Sequence, residues 1–164
     1  MNSTIIGAGN VGGHLARALY QTGHSIQQVY SRDLSRADAL AKKVAAEAID
    51  QLSAASPQSQ LFLIAVRDDA IEPVAAALSP YLPEGAIVAH TSGATPATVL
   101  APHWSNYGIF YPLQTLSKDQ PIDFREVPMC IDGASPSIRQ ALNELAGRIS
   151  GQVYQVDDEQ RARL

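Results

Sequence analysis

Residues 7–12 read Gly7-Ala8-Gly9-Asn10-Val11-Gly12, a G-x-G-x-x-G turn. It follows the β-prone Thr4-Ile5-Ile6 and opens a segment in which Val11, Leu15, Ala18 and Leu19 form a helical stripe ending at Gly23. Glycines at this spacing are weak evidence alone; between a strand and a helix they become specific for a nucleotide phosphate site. Gly7 permits the tight turn. Gly9 lets a pyrophosphate approach the backbone with no Cβ in the way, and Gly12 lets helix and strand pack closely. The backbone N–H groups at Asn10 and Val11 and the positive end of the helix then face the phosphates.

Working outward, strands and helices alternate. Ser25–Tyr30 reads as a second strand, and Asp33 as the cap of a helix with Leu34, Ala37, Leu40, Ala41 and Val44 on one face. Residues 47–50 suit a short third strand. Leu61–Val66 is a continuous apolar run, the mark of a strand covered on both sides. Asp69 to Glu72 has the spacing of a capping box, with Pro73 in the first turn. Residues 86–90, 106–111, 127–133 and 152–156 are further strands. A helix starting at Ser135 or Ser137 and running to about Ile149 precedes the last of them. The pattern predicts an α/β fold of Rossmann type: a doubly wound, largely parallel sheet with helices on both faces. The domain spans 1–156. Residues 157–164 are expected to begin a linker or helix with nothing left to pack on, leading to a part that this chain lacks.

Ligands in such sheets bind beyond the carboxyl ends of the strands. After the second strand stands Tyr30-Ser31-Arg32-Asp33. An NAD site usually has an acid about 20 residues past the glycines to take the ribose hydroxyls. Ser31 occupies that place; it can donate to a 2′-phosphate, and Arg32 and Arg36 supply guanidinium groups. The pattern favours NADP over NAD. Asp33 reverses the choice if the strand runs two residues further and presents it to the ribose.

The 164 residues suffice for one domain with its own core; 46% are hydrophobic and 17% charged. The net charge of −4 and the lack of a basic run argue against nucleic acid or an anionic membrane as partner. No apolar run approaches the ~20 residues of a membrane span, and the N-terminus lacks a signal-peptide pattern, so the expected location is the cytoplasm. Cys130, the single cysteine, reads as a buried thiol. His14 reads as a surface residue, His24 and His103 as surface or packing residues, and no metal-ligand spacing is present.

Residues 7–19, Ala65–Ile71, His90-Thr91-Ser92-Gly93-Ala94 and Tyr111-Pro112-Leu113-Gln114-Thr115 together resemble a family of NADP-dependent oxidoreductases assigned by sequence. In that family a Rossmann domain precedes a helical domain of unknown function. It is related to pyrroline-5-carboxylate reductase, the deazaflavin-dependent NADP reductases and the 6-phosphogluconate dehydrogenase group. The resemblance implies a small-molecule substrate, and a homodimer of the full-length protein formed through the helical domain. Two positions depart from the family: Tyr111 stands where His is usual, and Arg67 where Pro is common. A tyrosine titrates near 10, so a histidine's proton-shuttle role would be carried differently here.

The expected chemistry is hydride transfer to or from a small carbonyl, imine or hydroxy compound. His90 or Tyr111 would be the acid/base, with Ser92 and Gln114 orienting the substrate. Val66 and Arg67, after the fourth strand, join Gly7 to Gly12, Ser31, Arg32 and Arg36 as cofactor-binding candidates. The alternative is a non-catalytic dinucleotide-binding module, a sensor or partner subunit. In the bland version of the site, His90 only bonds a loop carbonyl and Gly93 only serves a turn.

Overall fold

The computed structural model describes residues 1–117 and 120–164. One sheet holds eight strands: β1 (Ser3–Ile6), β2 (Ile26–Tyr30), β3 (Glu47–Ile49), β4 (Leu61–Ile64), β5 (Ile87–His90), β6 (Tyr107–Pro112), β7 (Met129–Gly133) and β8 (Val153–Gln155). Among the described residues, five α-helices accompany them: α1 (Asn10–Gln21), α2 (Leu34–Lys43), α3 (Asp68–Leu78), α4 (Pro136–Ile149) and α5 (Asp158–Ala162). The strand order is β3-β2-β1-β4-β5-β6-β7-β8. Every neighbouring pair is parallel except β6 and β7. This is the doubly wound α/β architecture read from the sequence.

The apolar run in β4 shows why the sheet has helices on both sides. Side chains alternate across a strand. Leu61 and Leu63 join a core with Leu15, Leu19, Leu40 and Leu142, from α1, α2 and α4. Phe62 and Ile64 join a second core with Ile71, Leu78 and Leu100 on the other face. All four strand residues are fully buried.

Asp33 caps α2 by accepting from the Ser35 backbone N–H at 3.0 Å, and Ser135 caps α4 through the Ile138 N–H at 3.3 Å. Four local expectations need correction. The capping box at Asp69 and Glu72 does not form: α3 begins at Asp68 with Arg67 in the cap position and no side-chain capping bond. Asp69 turns instead to the Arg67 guanidinium, 3.0 Å away. Leu34 does not join its helix's buried face but is 48% exposed. His14 is buried, its Nε2 2.6 Å from the Ser117 carbonyl, because the chain after β6 folds back over α1. The C-terminal segment does find something to pack on. Asp157 and Gln160 form a capping box that starts α5, and the helix docks on the loop after β5 through Asp158 and Arg161.

Candidate functional site

The strand order reverses beside β1, which lies between β2 and β4. A crevice therefore opens beyond their carboxyl ends, where the glycine turn sits. Gly7 has φ +121°, a conformation that side chains rarely adopt, and a Cβ there would run into the Ala65 carbonyl. A Cβ on Gly12 would meet the Gly7 carbonyl oxygen. Gly9 differs: its Cβ position has no atom within 4 Å. Two of the glycines thus serve packing, and the third faces open space above the start of α1. Asn10 and Val11 form the first turn, whose N–H groups lack intrahelical acceptors. Val66 packs beside Gly7, its Cγ1 3.3 Å from where a Gly7 Cβ would stand.

β2 ends at Tyr30, and the carboxylate of Asp33 is engaged with the N–H and the hydroxyl of Ser35, at 3.0 and 2.6 Å. These bonds hold Asp33 below the usual carboxylate range. Ser31 turns its Oγ to accept from the Asp33 N–H at 3.2 Å. Arg32 and Arg36 are exposed and make no ion pair among the described residues. Arg36, Ser35, Gly9 and Asn10 line a groove of about 160 Å³ between α1 and α2, shared with Arg17 and Lys43. Arg67 lies across the crevice, its exposed guanidinium paired with Asp69.

The second cluster lies beyond β5 and β6. His90 is fully buried. Its Nδ1 accepts from the Ser92 N–H at 3.1 Å, which leaves Nε2 to donate to the Pro96 carbonyl at 3.2 Å. Ser92 Oγ accepts from the Ala94 and Thr95 N–H groups, each at 3.1 Å. Gly93 leaves room for the phenol of Tyr111: a Cβ there would stand 2.6 Å from the ring Cζ. Ser92, Gly93, Tyr111, Asp68 and Arg161 line a cleft of about 490 Å³. Burial pushes the Tyr111 phenol up, with Cys130 adding to this and Arg161 opposing it. The structure thus gathers Ser92 and Tyr111 in one cleft. His90 lies behind its wall, and Gln114 is exposed and outside it. Another cleft, of about 580 Å³, lies elsewhere: Arg17, Gln21, Thr22 and Ile149 place it by the far end of α1, away from the strand carboxyl ends.

Arg161 is the site residue that the sequence did not reveal. It is 2% exposed, and it donates from Nε to the Ser92 carbonyl at 3.1 Å and from Nη2 to the Thr95 carbonyl at 2.5 Å. It stands in the mostly polar stretch Asp157 to Arg163, and nothing local marks it. Only the docking of α5 against a loop 66 to 69 residues away makes it part of the cleft.

The buried His90 makes a pH prediction. Desolvation lowers its pKa from 6.5 to about 4. A group that binds its proton less readily when folded stabilises the protein above its unfolded pKa and loses that contribution as pH falls through the folded one. The shift corresponds to about 3 kcal/mol, complete above pH 6.5 and lost by about pH 4. Urea unfolding at pH 7 and pH 4 should show wild type losing about that much more stability than His90→Gln. Equal losses would mean that His90 titrates as if exposed.

Comparison with known proteins places this geometry. No curated protein sequence matches the chain. Among solved structures, a candidate NADP oxidoreductase from Bacteroides fragilis superposes with a TM-score of 0.95 at 38% identity, over 99% of this chain and 62% of that one. Arogenate dehydrogenase from Synechocystis superposes with a TM-score of 0.86 at 21% identity, over 98% of this chain and 61% of that one. An imine reductase from Myxococcus stipitatus in complex with NADP⁺ gives 0.78 at 20% identity, over 99% of this chain and 57% of that one. The chain therefore spans about three fifths of the length of these structures; the last two show a shared fold. Residues 1–113 match the model of the Rossmann-like domain, and the chain belongs to that family.

Proposed function

We propose that the chain forms the dinucleotide-binding part of an NADP(H)-dependent oxidoreductase acting on a small carbonyl, imine or hydroxy compound. The observation that carries this is the pairing of an open Gly9 at the head of α1 with a donor-lined cleft beyond β5 and β6. When bound, a nicotinamide dinucleotide supplies or takes the hydride. The residues present fit such a group. Gly9 leaves space for a pyrophosphate, which the N–H groups of Asn10, Val11 and Gly12 would hold.

NADP over NAD is supported at Asp33. An acid free to take both ribose hydroxyls would favour NAD, but this one is occupied with Ser35. Ser31, Arg32 and Arg36 remain to meet a 2′-phosphate. Within the cleft Tyr111 is the acid, since its raised pKa keeps the phenol protonated near neutral pH. Ser92 orients the substrate, and His90 sets the loop that presents it.

Calorimetric titration with NADPH and NADH tests the cofactor choice. NADPH should bind at least about tenfold tighter, a difference of about 1.4 kcal/mol, and Arg32→Ala should remove most of the preference. Equal or tighter binding of NADH, unchanged by that substitution, would mean that the 2′-phosphate grip does not exist.

A further inference from the structure

Arg161 is more than a strut. Its side chain is 1% exposed, yet Nη1 has no hydrogen-bond partner among the described residues. A buried donor left unmatched is destabilising, the more so when charged. Nε and Nη2 are occupied by the Ser92 and Thr95 carbonyls and by Asp158 Oδ1, the last at 3.0 Å. The residue lines the same cleft as Ser92 and Tyr111. Two further donors belong to that cleft. The Ser92 hydroxyl accepts two backbone N–H groups, so its own proton is left to donate. The Tyr111 phenol lines the cleft too. Against these stands one side-chain carboxylate on the cleft wall, that of the exposed Asp68.

We infer that this cleft is a carboxylate site, in which Arg161 Nη1 and the Ser92 hydroxyl take the carboxylate of the substrate, an assignment that rests on the oxidoreductase reading above and narrows it to carbonyl or imine acids. Charge and geometry select this class. Asp158 already balances the guanidinium, and His90 is neutral near pH 7, so a dianion would leave two uncompensated negative charges against a carboxylate's one. The guanidinium edges that could grip two oxygens side by side are spent on the loop carbonyls and Asp158. One nitrogen remains, suited to a single oxygen, with the Ser92 hydroxyl available for the other.

The test is titration of ¹⁵N-labelled protein by NMR, with NADPH present, following the Arg161 Nε–H and the amides of Ser92 to Thr95. The probes are pyruvate, its neutral amide pyruvamide, and inorganic phosphate. Pyruvate should shift these signals saturably, with pyruvamide and phosphate each at least about tenfold weaker, and Arg161→Lys should weaken pyruvate by about the same factor. If pyruvate leaves them unmoved, or pyruvamide or phosphate matches it, the assignment is overturned. Measuring wild type against three probes avoids dependence on a variant that fails to fold. NADPH binding is read separately, on the amides of Gly9 to Gly12. Unmoved amides there would overturn the cofactor reading, whatever happens at Arg161.

Discussion

Gly12→Ala should lower the melting temperature by about 6–12 °C and abolish NADPH binding, whereas Gly9→Ala should leave stability unchanged and weaken NADPH by at least about tenfold. The two glycines lie three residues apart, and opposite physics sets them. A Cβ on Gly12 would strike the backbone oxygen of Gly7, which cannot rotate away as a side chain would. Either α1 moves off β1 or the turn distorts, at a cost of about 3 kcal/mol. In a domain of this size each kcal/mol shifts the melting temperature by about 2–4 °C. Gly9 has φ −84° and ψ −159°, extended backbone open to any residue, and a Cβ there would meet no protein atom within 4 Å. Among the described residues it would obstruct nothing, so its expected effect is on a ligand. Thermal melts with NADPH calorimetry on both variants separate the roles. A Gly9→Ala protein that binds NADPH like wild type would remove the phosphate site from the glycine turn.

The architecture was legible because its signals are local. A run such as Leu61–Ile64, short and apolar at every position, suits a strand covered on both faces, and the two cores divide its residues alternately. The packing roles of Gly7 and Gly12 are legible for the same reason: Gly12 answers the Gly7 carbonyl within one strand-turn-helix unit, and Gly7 answers Ala65, just past the adjoining β4. Asp33 was legible only as a choice between cap and ribose ligand, since both depend on where β2 ends. The strand stops at Tyr30, and the carboxylate goes to Ser35.

The site was less legible because long-range contacts make it. His90 is withdrawn from the cleft by bonds to its own loop, at Ser92 and Pro96. Gly93 reads as a turn residue, but it is small because the phenol of Tyr111 rests against it from another strand. His14 reads as a surface residue until the chain after β6 covers it. Arg161 lies in a run of charged residues that looks solvated, and its burial depends on the loop after β5 having somewhere to receive it. At Asp69 the failure was local: a carboxylate one residue inside the helix had a closer cation in Arg67 than any free N–H.

Tyr111→Phe should lower turnover by about 10²–10⁴-fold while leaving NADPH affinity and stability near wild type, measured on the first carbonyl or imine acid that supports NADPH oxidation. The substitution removes one hydroxyl from a half-buried ring and keeps the ring's packing. Gly93→Ala should reproduce much of that loss without touching the tyrosine. Its Cβ would stand 2.6 Å from Cζ and 2.7 Å from the hydroxyl oxygen, so the phenol must swing away from the loop that carries Ser92. Displacing a proton donor by about 1 Å can cost about 10²-fold. The double variant should then be no slower than Tyr111→Phe alone, because the added methyl group has no hydroxyl left to displace. The pH profile adds an independent check. Burial raises the Tyr111 pKa above its usual value of 10, so the phenol stays protonated and reduction should keep its rate from about pH 6 to about pH 9. A rate that fell with a midpoint near neutrality would assign the proton to a different group. Turnover in Tyr111→Phe equal to wild type would reduce the tyrosine to a packing residue against Gly93.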